Sequence, residues 1–168
     1  SNYGYAAVIS LSGTTATIET PAPFVSESVS DVVAVYDSSN NKTLIVWRKA
    51  SNNYGAGIVA TISGTGVTFG TEAVLASETG FYFGASFDTT VNKSIVAYYN
   101  SSSGYSKSVQ GTISGTGVTF TSPVTYLTAS TDYNALAYDP DSERTIFAFD
   151  DTGSSDKGTS LLYASTTL

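Results

Sequence analysis

The chain predicts an all-β fold made of repeated four-stranded antiparallel units, about three of them with a period of 51 residues. Three observations carry this. The nonapeptide TISGTGVTF stands at Thr61–Phe69 and again, letter for letter, at Thr112–Phe120, 51 positions on. Further landmarks keep the same step: Tyr3-Gly4, Tyr54-Gly55 and Tyr105-Ser106; Ser12-Gly13, Ser63-Gly64 and Ser114-Gly115; Tyr36-Asp37, Phe87-Asp88 and Tyr138-Asp139. Finally, no segment joins helical apolar periodicity to helix caps, whereas short β-rich runs alternate with Gly, Asn and Ser turns.

Within the unit from Asp31 to Thr71, DVVAVY is rich in β-formers and reads as the first strand. It is closed by the turn DSSNNK, where Asp and Asn bond their own backbone and tolerate left-handed geometry. TLIVWRK is the second strand, apolar on both faces over its first five residues. SNNYG turns the chain, AGIVATI is the third strand, and SGTG is a hairpin whose Gly64 and Gly66 are free to take positive φ. VTFGT is a shorter, more polar fourth strand. The opening nonapeptide is therefore a hairpin, and it recurs because the unit recurs.

A strand that is apolar on both faces must be sandwiched between neighbouring sheets. Leu44 and Val46 on one side and Ile45 and Trp47 on the other keep this character in Ile95, Ala97, Val96 and Tyr98, and in Ile146, Ala148, Phe147 and Phe149. Radial stacking of such sheets gives blades of the β-propeller type. The units fall at 1–30 (a partial unit, its last two strands), 31–80, 81–131 and 132–168 (incomplete), with the register slipping by one near Gly153. A closed propeller needs at least four blades. The expectation is therefore an array belonging to a longer chain, a ring completed by several copies, or an open column of blades.

Composition narrows the chemistry. There is no Cys, His or Met. That removes disulfides, thiolate chemistry, imidazole acid–base work and the commonest transition-metal ligands. Fourteen acidic against seven scattered basic residues give a net charge of −7, a field that repels phosphate backbones and anionic lipid. Neither nucleic acid nor membrane insertion is expected, since no apolar run approaches the ~20 residues of a spanning helix. No cofactor is expected. The Ser, Thr, Gly, Asn and Tyr palette suits extracellular β-structure.

Four groups of residues are candidates for function. Tyr3, Tyr54 and Tyr105 recur in a Gly/Asn/Ser-rich turn, where a ring stacks on a sugar while its hydroxyl and a neighbour such as Asn53 reach polar groups. Tyr82 and Tyr133, with Asp132, lie where one unit passes to the next, another natural place for a surface contact. Asp139, Asp141 and Glu143 alternate as calcium-loop acids do, but the glycine of such loops is missing, so a solvated turn is the simpler reading. Asp150-Asp151 and Asp156 supply paired acids of the sort a glycosidase needs, without a partnered carboxylate at a repeated strand end. Asn41, Asn92 and Asn100 match the glycosylation sequon, yet turn geometry alone accounts for an Asn at the first two.

Tyr36-Asp37 with Asn41-Lys42, Asn53-Tyr54-Gly55, Ser63-Gly64-Thr65 and Phe69-Gly70-Thr71 together resemble repeat arrays in tail-fibre and other virion proteins of marine bacteriophages. The likeness spans essentially the whole chain. It implies a non-enzymatic module on a virion or cell surface that adheres to host glycans, with the summed avidity of repeated weak sites. A structural spacer whose units associate with other repeats or other copies is the alternative, and a carboxylate glycosidase the third.

Overall fold

The computed structural model describes residues 3–155 and 157–163. It is all-β and antiparallel, apart from one 3₁₀ turn at Thr152–Ser154. The strands are β1 (Tyr3–Ala6), β2 (Ile9–Ser12), β3 (Thr15–Ile18), β4 (Ala22–Asp37), β5 (Lys42–Lys49), β6 (Tyr54–Ser63), β7 (Gly66–Phe69), β8 (Ala73–Asp88), β9 (Lys93–Asn100), β10 (Tyr105–Ser114), β11 (Gly117–Phe120), β12 (Val124–Leu127), β13 (Thr131–Asp139), β14 (Arg144–Asp151) and β15 (Lys157–Tyr163).

The strands are not partitioned into separate four-stranded blades, and they close no ring. Ten of them form one sheet in the order β1-β4-β5-β6-β8-β9-β10-β11, with β7 also on β6 and β12 also on β10. β13-β14-β15 and β2-β3 are separate. The cause is the length of β4 and β8, 16 residues each. The first half of β8 pairs with β6, and its second half pairs with β9. β4 does the same with β1 and β5. The expected fourth strand is thus two pieces, the short β7 followed by the first half of β8, and the second piece runs on unbroken into the next unit.

The hydrophobic core nevertheless follows the two-sided pattern. Ile45, Trp47, Ala56, Ile58 and Ala60 pack with Phe24 on one side of the first full unit. Leu44, Val46 and Val59 on its other side cluster with Val96, Tyr98 and Val109 of the second. Ile95 and Ala97 in turn meet Phe147 and Phe149 of the third. β5 and β9 therefore bury both faces, which is why they read as uninterrupted apolar runs. β14 does not: it buries Phe147 and Phe149 and leaves Ile146 and Ala148 exposed, correcting the expectation that its run is two-sided as well.

The turns repeat in atomic detail. Asp37 Oδ1 accepts from the Ser39 and Asn40 amides, Asp88 Oδ1 from those of Thr90 and Val91, and Asp139 Oδ1 from that of Asp141. Among the described residues every backbone of positive φ lies on the repeat. The four sets are Gly13, Gly64 and Gly115; Asp31, Tyr82 and Tyr133; Asn41, Asn92 and Glu143; and Asn53, Gly104 and Ser155. Gly and Asn are the expected occupants of that region. Glu143 and Ser155 are single departures from them, and one set departs at every member.

Candidate functional site

That set marks a bulge. The β4–β5 ladder slips between Ser30 and Val33, β8–β9 between Phe81 and Gly84, and β13–β14 between Asp132 and Ala135. An extra residue on the inner strand lies in the left-handed region each time: Asp31 (φ 49°), Tyr82 (φ 55°) and Tyr133 (φ 53°). Such bulges normally use Gly at this position, and a bulky residue there costs about 1–3 kcal/mol. Bulges bend the strand and re-aim side chains. In β4 and β8 it sits two residues after the long strand leaves one ladder and enters the next; in β13, which pairs with β14 alone, it sits near the strand's start.

The bulges of consecutive units converge. Arg48 Nε donates to Asp31 Oδ2 at 2.8 Å, and its Nη1 donates to Asn53 Oδ1 at 2.8 Å. The guanidinium lies over the Phe81 ring, 4.4 Å from its centroid. Phe81 is 6.3 Å from the Tyr82 ring, and Tyr82 is 5.6 Å from Tyr133 at an interplanar angle of 49°. A continuous surface strip thus runs across three units: Asp31, Arg48, Phe81, Tyr82, Tyr133. Tyr133 is 76% exposed. Beneath it, Asn134 Nδ2 donates to the Tyr82 carbonyl at 2.8 Å, while Asn134 Oδ1 accepts from Tyr126 Oη and Thr131 Oγ1. This buried network pins the third unit to the second and fixes both rings.

The charge of Asp132 raises the Tyr82 phenol above its ordinary range, with smaller contributions from burial and from Tyr133 and Asp31; Arg48 opposes them. Tyr82 therefore remains a neutral hydroxyl that can donate or accept. The strip offers aromatic faces, two phenols, and a carboxylate and guanidinium already paired with each other. That combination suits a neutral, hydroxylated, ring-shaped ligand better than an ion.

The other predicted residues fall elsewhere. Tyr3 pairs with Ser28, Tyr54 with Thr79 and Tyr105 with Asn100, one tyrosine at the start of the third strand of each unit. No described ring contact joins any two of them. Asn53 belongs to the strip through Arg48, and its positive φ and its carbonyl's bond from the Gly80 amide give it a structural role as well.

The alternating acids of the last turn are committed locally. Asp139 accepts from Ser142 Oγ and the Asp141 amide, which hold its carboxyl below the usual range, and Glu143 is the left-handed turn residue. Among the described residues no group of three His, Cys, Asp or Glu could hold a metal ion. Asp150 faces Asp132 across the β13–β14 ladder, and Asp151 caps the 3₁₀ turn by accepting from the Gly153 amide. Asp156 lies outside the described residues. Of the sequons, Asn41 and Asn92 are left-handed turn residues, and Asn100 is buried with its Oδ1 accepting from the Ser102 and Ser103 amides.

Arg48 and Phe81 were not among the residues the sequence singled out. The usable signal was the 51-residue step joining Asp31, Tyr82 and Tyr133, hidden because Asp and Tyr do not look alike. No protein-family model matches the chain, and neither does any curated protein or solved structure.

Proposed function

We propose that the chain is a non-enzymatic glycan-binding module, whose 51-residue units act as blades of the β-propeller type and whose site is the strip Phe81–Tyr82–Tyr133 with Arg48, Asp31 and Asp132. One observation carries the reading. Tyr82 and Tyr133 occupy left-handed positions that a Gly or Asn would fill at less cost, and Tyr133 is largely solvent-exposed, so packing does not account for its ring. A strained, exposed ring beside a strained, half-buried one, each held by its own sheet, is what stacking on a sugar requires. The blade reading is supported by the central strands of the first two full units, β5 and β9, which bury both faces against preceding and following strands. The setting is an adhesive surface protein such as a virion fibre, as the repeat scheme's resemblance implies.

The test is calorimetric titration with neutral oligosaccharides, chosen from a glycan array probed with the intact chain. Tyr82→Ala and Tyr133→Ala are expected to weaken binding about tenfold or more each, roughly 1.4 kcal/mol. Tyr54→Ala and Tyr105→Ala leave it unchanged. Loss of binding with the second pair alone would move the site to the strand turns, and binding to no glycan would leave the spacer reading in its place.

A further inference from the structure

The strands that carry the bulges hold a second aromatic set at their C-terminal ends. Tyr36 on β4, Phe87 on β8 and Tyr138 on β13 stand 51 residues apart, each one residue before the aspartate of its turn. All three line one open groove of about 520 Å³, within the ~300–1,000 Å³ of small-ligand clefts. Phe87 is 8% exposed, Tyr138 is half-buried and Tyr36 is 56% exposed. No single unit makes this groove. Ser39 Oγ donates to Asn92 Oδ1 at 2.6 Å and ties the first turn to the second. The Thr90 and Tyr138 hydroxyls share a bond of 2.6 Å that ties the second turn to the third unit. Small Ala34 and Ala85, two residues before Tyr36 and Phe87, leave it room.

Among the described residues no charged side chain lines the groove, although the chain carries a net charge of −7. Alternation along each strand turns Asp37, Asp88 and Asp139 to the face opposite their aromatic neighbours, where turn amides hold the carboxylates. The lining that remains is aromatic and hydroxylic, with Pro140 and the hydroxyls of Ser38 and Thr89 beside the three rings. The Tyr36 phenol commits its proton to Asn41 Oδ1 at 2.8 Å, so toward a ligand it can only accept. An ion finds no counter-charge here, and a purely apolar molecule would displace water from hydroxyls it cannot bond. A proline-rich segment also favours aromatic grooves, but it has few N–H groups to offer that phenol. A pyranose ring meets both demands, with C–H faces for the aromatic rings and hydroxyls that donate as well as accept.

We propose that this groove is a second site for a neutral sugar, built across three units and independent of the strip. Five residues separate Tyr133 from Tyr138, about 17 Å of strand at ~3.3 Å per residue, so each site can be removed without touching the other.

Tyr82→Asn together with Tyr133→Asn removes the rings of the strip and leaves a residue that tolerates the backbone there. The intact chain carrying both is expected still to retain neutral oligosaccharides on a glycan array, more weakly than the wild type does. Calorimetry with the best retained of them should show a further loss of about tenfold or more when Tyr36→Ala is added. Ser38→Trp, which fills the groove, should do the same. Both positions are exposed, so circular dichroism and the melting curve stay unchanged. A wild type that binds and a double variant that retains nothing would overturn the groove and leave the strip; no binding by either would overturn both. Binding that survives Tyr36→Ala and Ser38→Trp also overturns the proposal, as does a preference of the double variant for charged glycans or for a proline-rich peptide. If the strip substitutions change nothing and the groove substitutions abolish binding, the groove stands and the strip does not.

Discussion

A left-handed tyrosine is a local cost that the surrounding structure must sustain, and the chain bears it twice, at Tyr82 and Tyr133. Tyr133→Asn separates that cost from its use, because Asn tolerates the conformation but carries no ring. The variant is expected to be as stable as the wild type or up to about 1 kcal/mol more stable, read from its urea midpoint, while losing the glycan affinity proposed for the strip. A variant that loses stability instead would assign the ring to packing. The turn carboxylates make the opposite case. Asp88 is fully buried, and its Oδ1 accepts from the Thr90 and Val91 amides, whereas Asp139 makes the equivalent turn at the surface. Asp88→Ala should therefore cost about 1–3 kcal/mol, by removing both turn hydrogen bonds and the buried carboxylate that accepts them. Asp139→Ala should cost only a few tenths, since water replaces the lost acceptor. Equilibrium unfolding of the two variants compares them directly.

At the scale of elements, the long strand β8 is tied down near the middle by Glu78. Its carboxylate accepts from Tyr98 Oη on β9 at 2.6 Å and from Lys107 Nζ on β10 at 2.7 Å. Burial pushes this carboxyl up, but the hydrogen bonds from Lys107, Tyr98 and Asn100 together outweigh it and hold the group below its ordinary value. The sign follows. On acidification the unfolded chain takes up the proton first, so the stability from Glu78 is whole above the ordinary value of about 4.3 and is lost as the pH falls through the lower folded-state value. Between about pH 6 and about pH 3 the wild-type urea midpoint should fall more steeply than that of Glu78→Gln; equal slopes would refute the assignment. The same strand shows what the sequence could and could not reveal. The 51-residue step located every turn, because Asp, Asn and Gly sit there for backbone reasons that survive into the fold. The passage EAVLASETGFYFG gave no such cue: polar Glu78 and Thr79 interrupt its apolar pattern, and its two ladders have different partners. Convergence of Arg48, Phe81, Tyr82 and Tyr133 was equally hidden, since it depends on how units lie against each other and not on spacing within one.

At the scale of the whole molecule, successive units bury an apolar face against one another, so stability is a sum of unit and interface contributions along a line. The third unit is the natural place for this line to break. Its contact with the second depends on Phe147, fully buried, stacked on Tyr163 at 5.2 Å and edge-on to Tyr126 at 5.1 Å. Phe147→Ala removes these contacts and should cost about 3–5 kcal/mol, all of it at the second-to-third interface and within the third unit. The single tryptophan, Trp47, is buried at the other end of the line against Phe24. In Phe147→Ala, urea should therefore lower the β circular dichroism signal in a first step while Trp47 emission keeps its native position, and shift that emission only in a second. The wild type, with both interfaces intact, should show the two signals closer together. If they stay coincident in the variant, the units fold as one cooperative body and interface energies cannot be assigned along the chain.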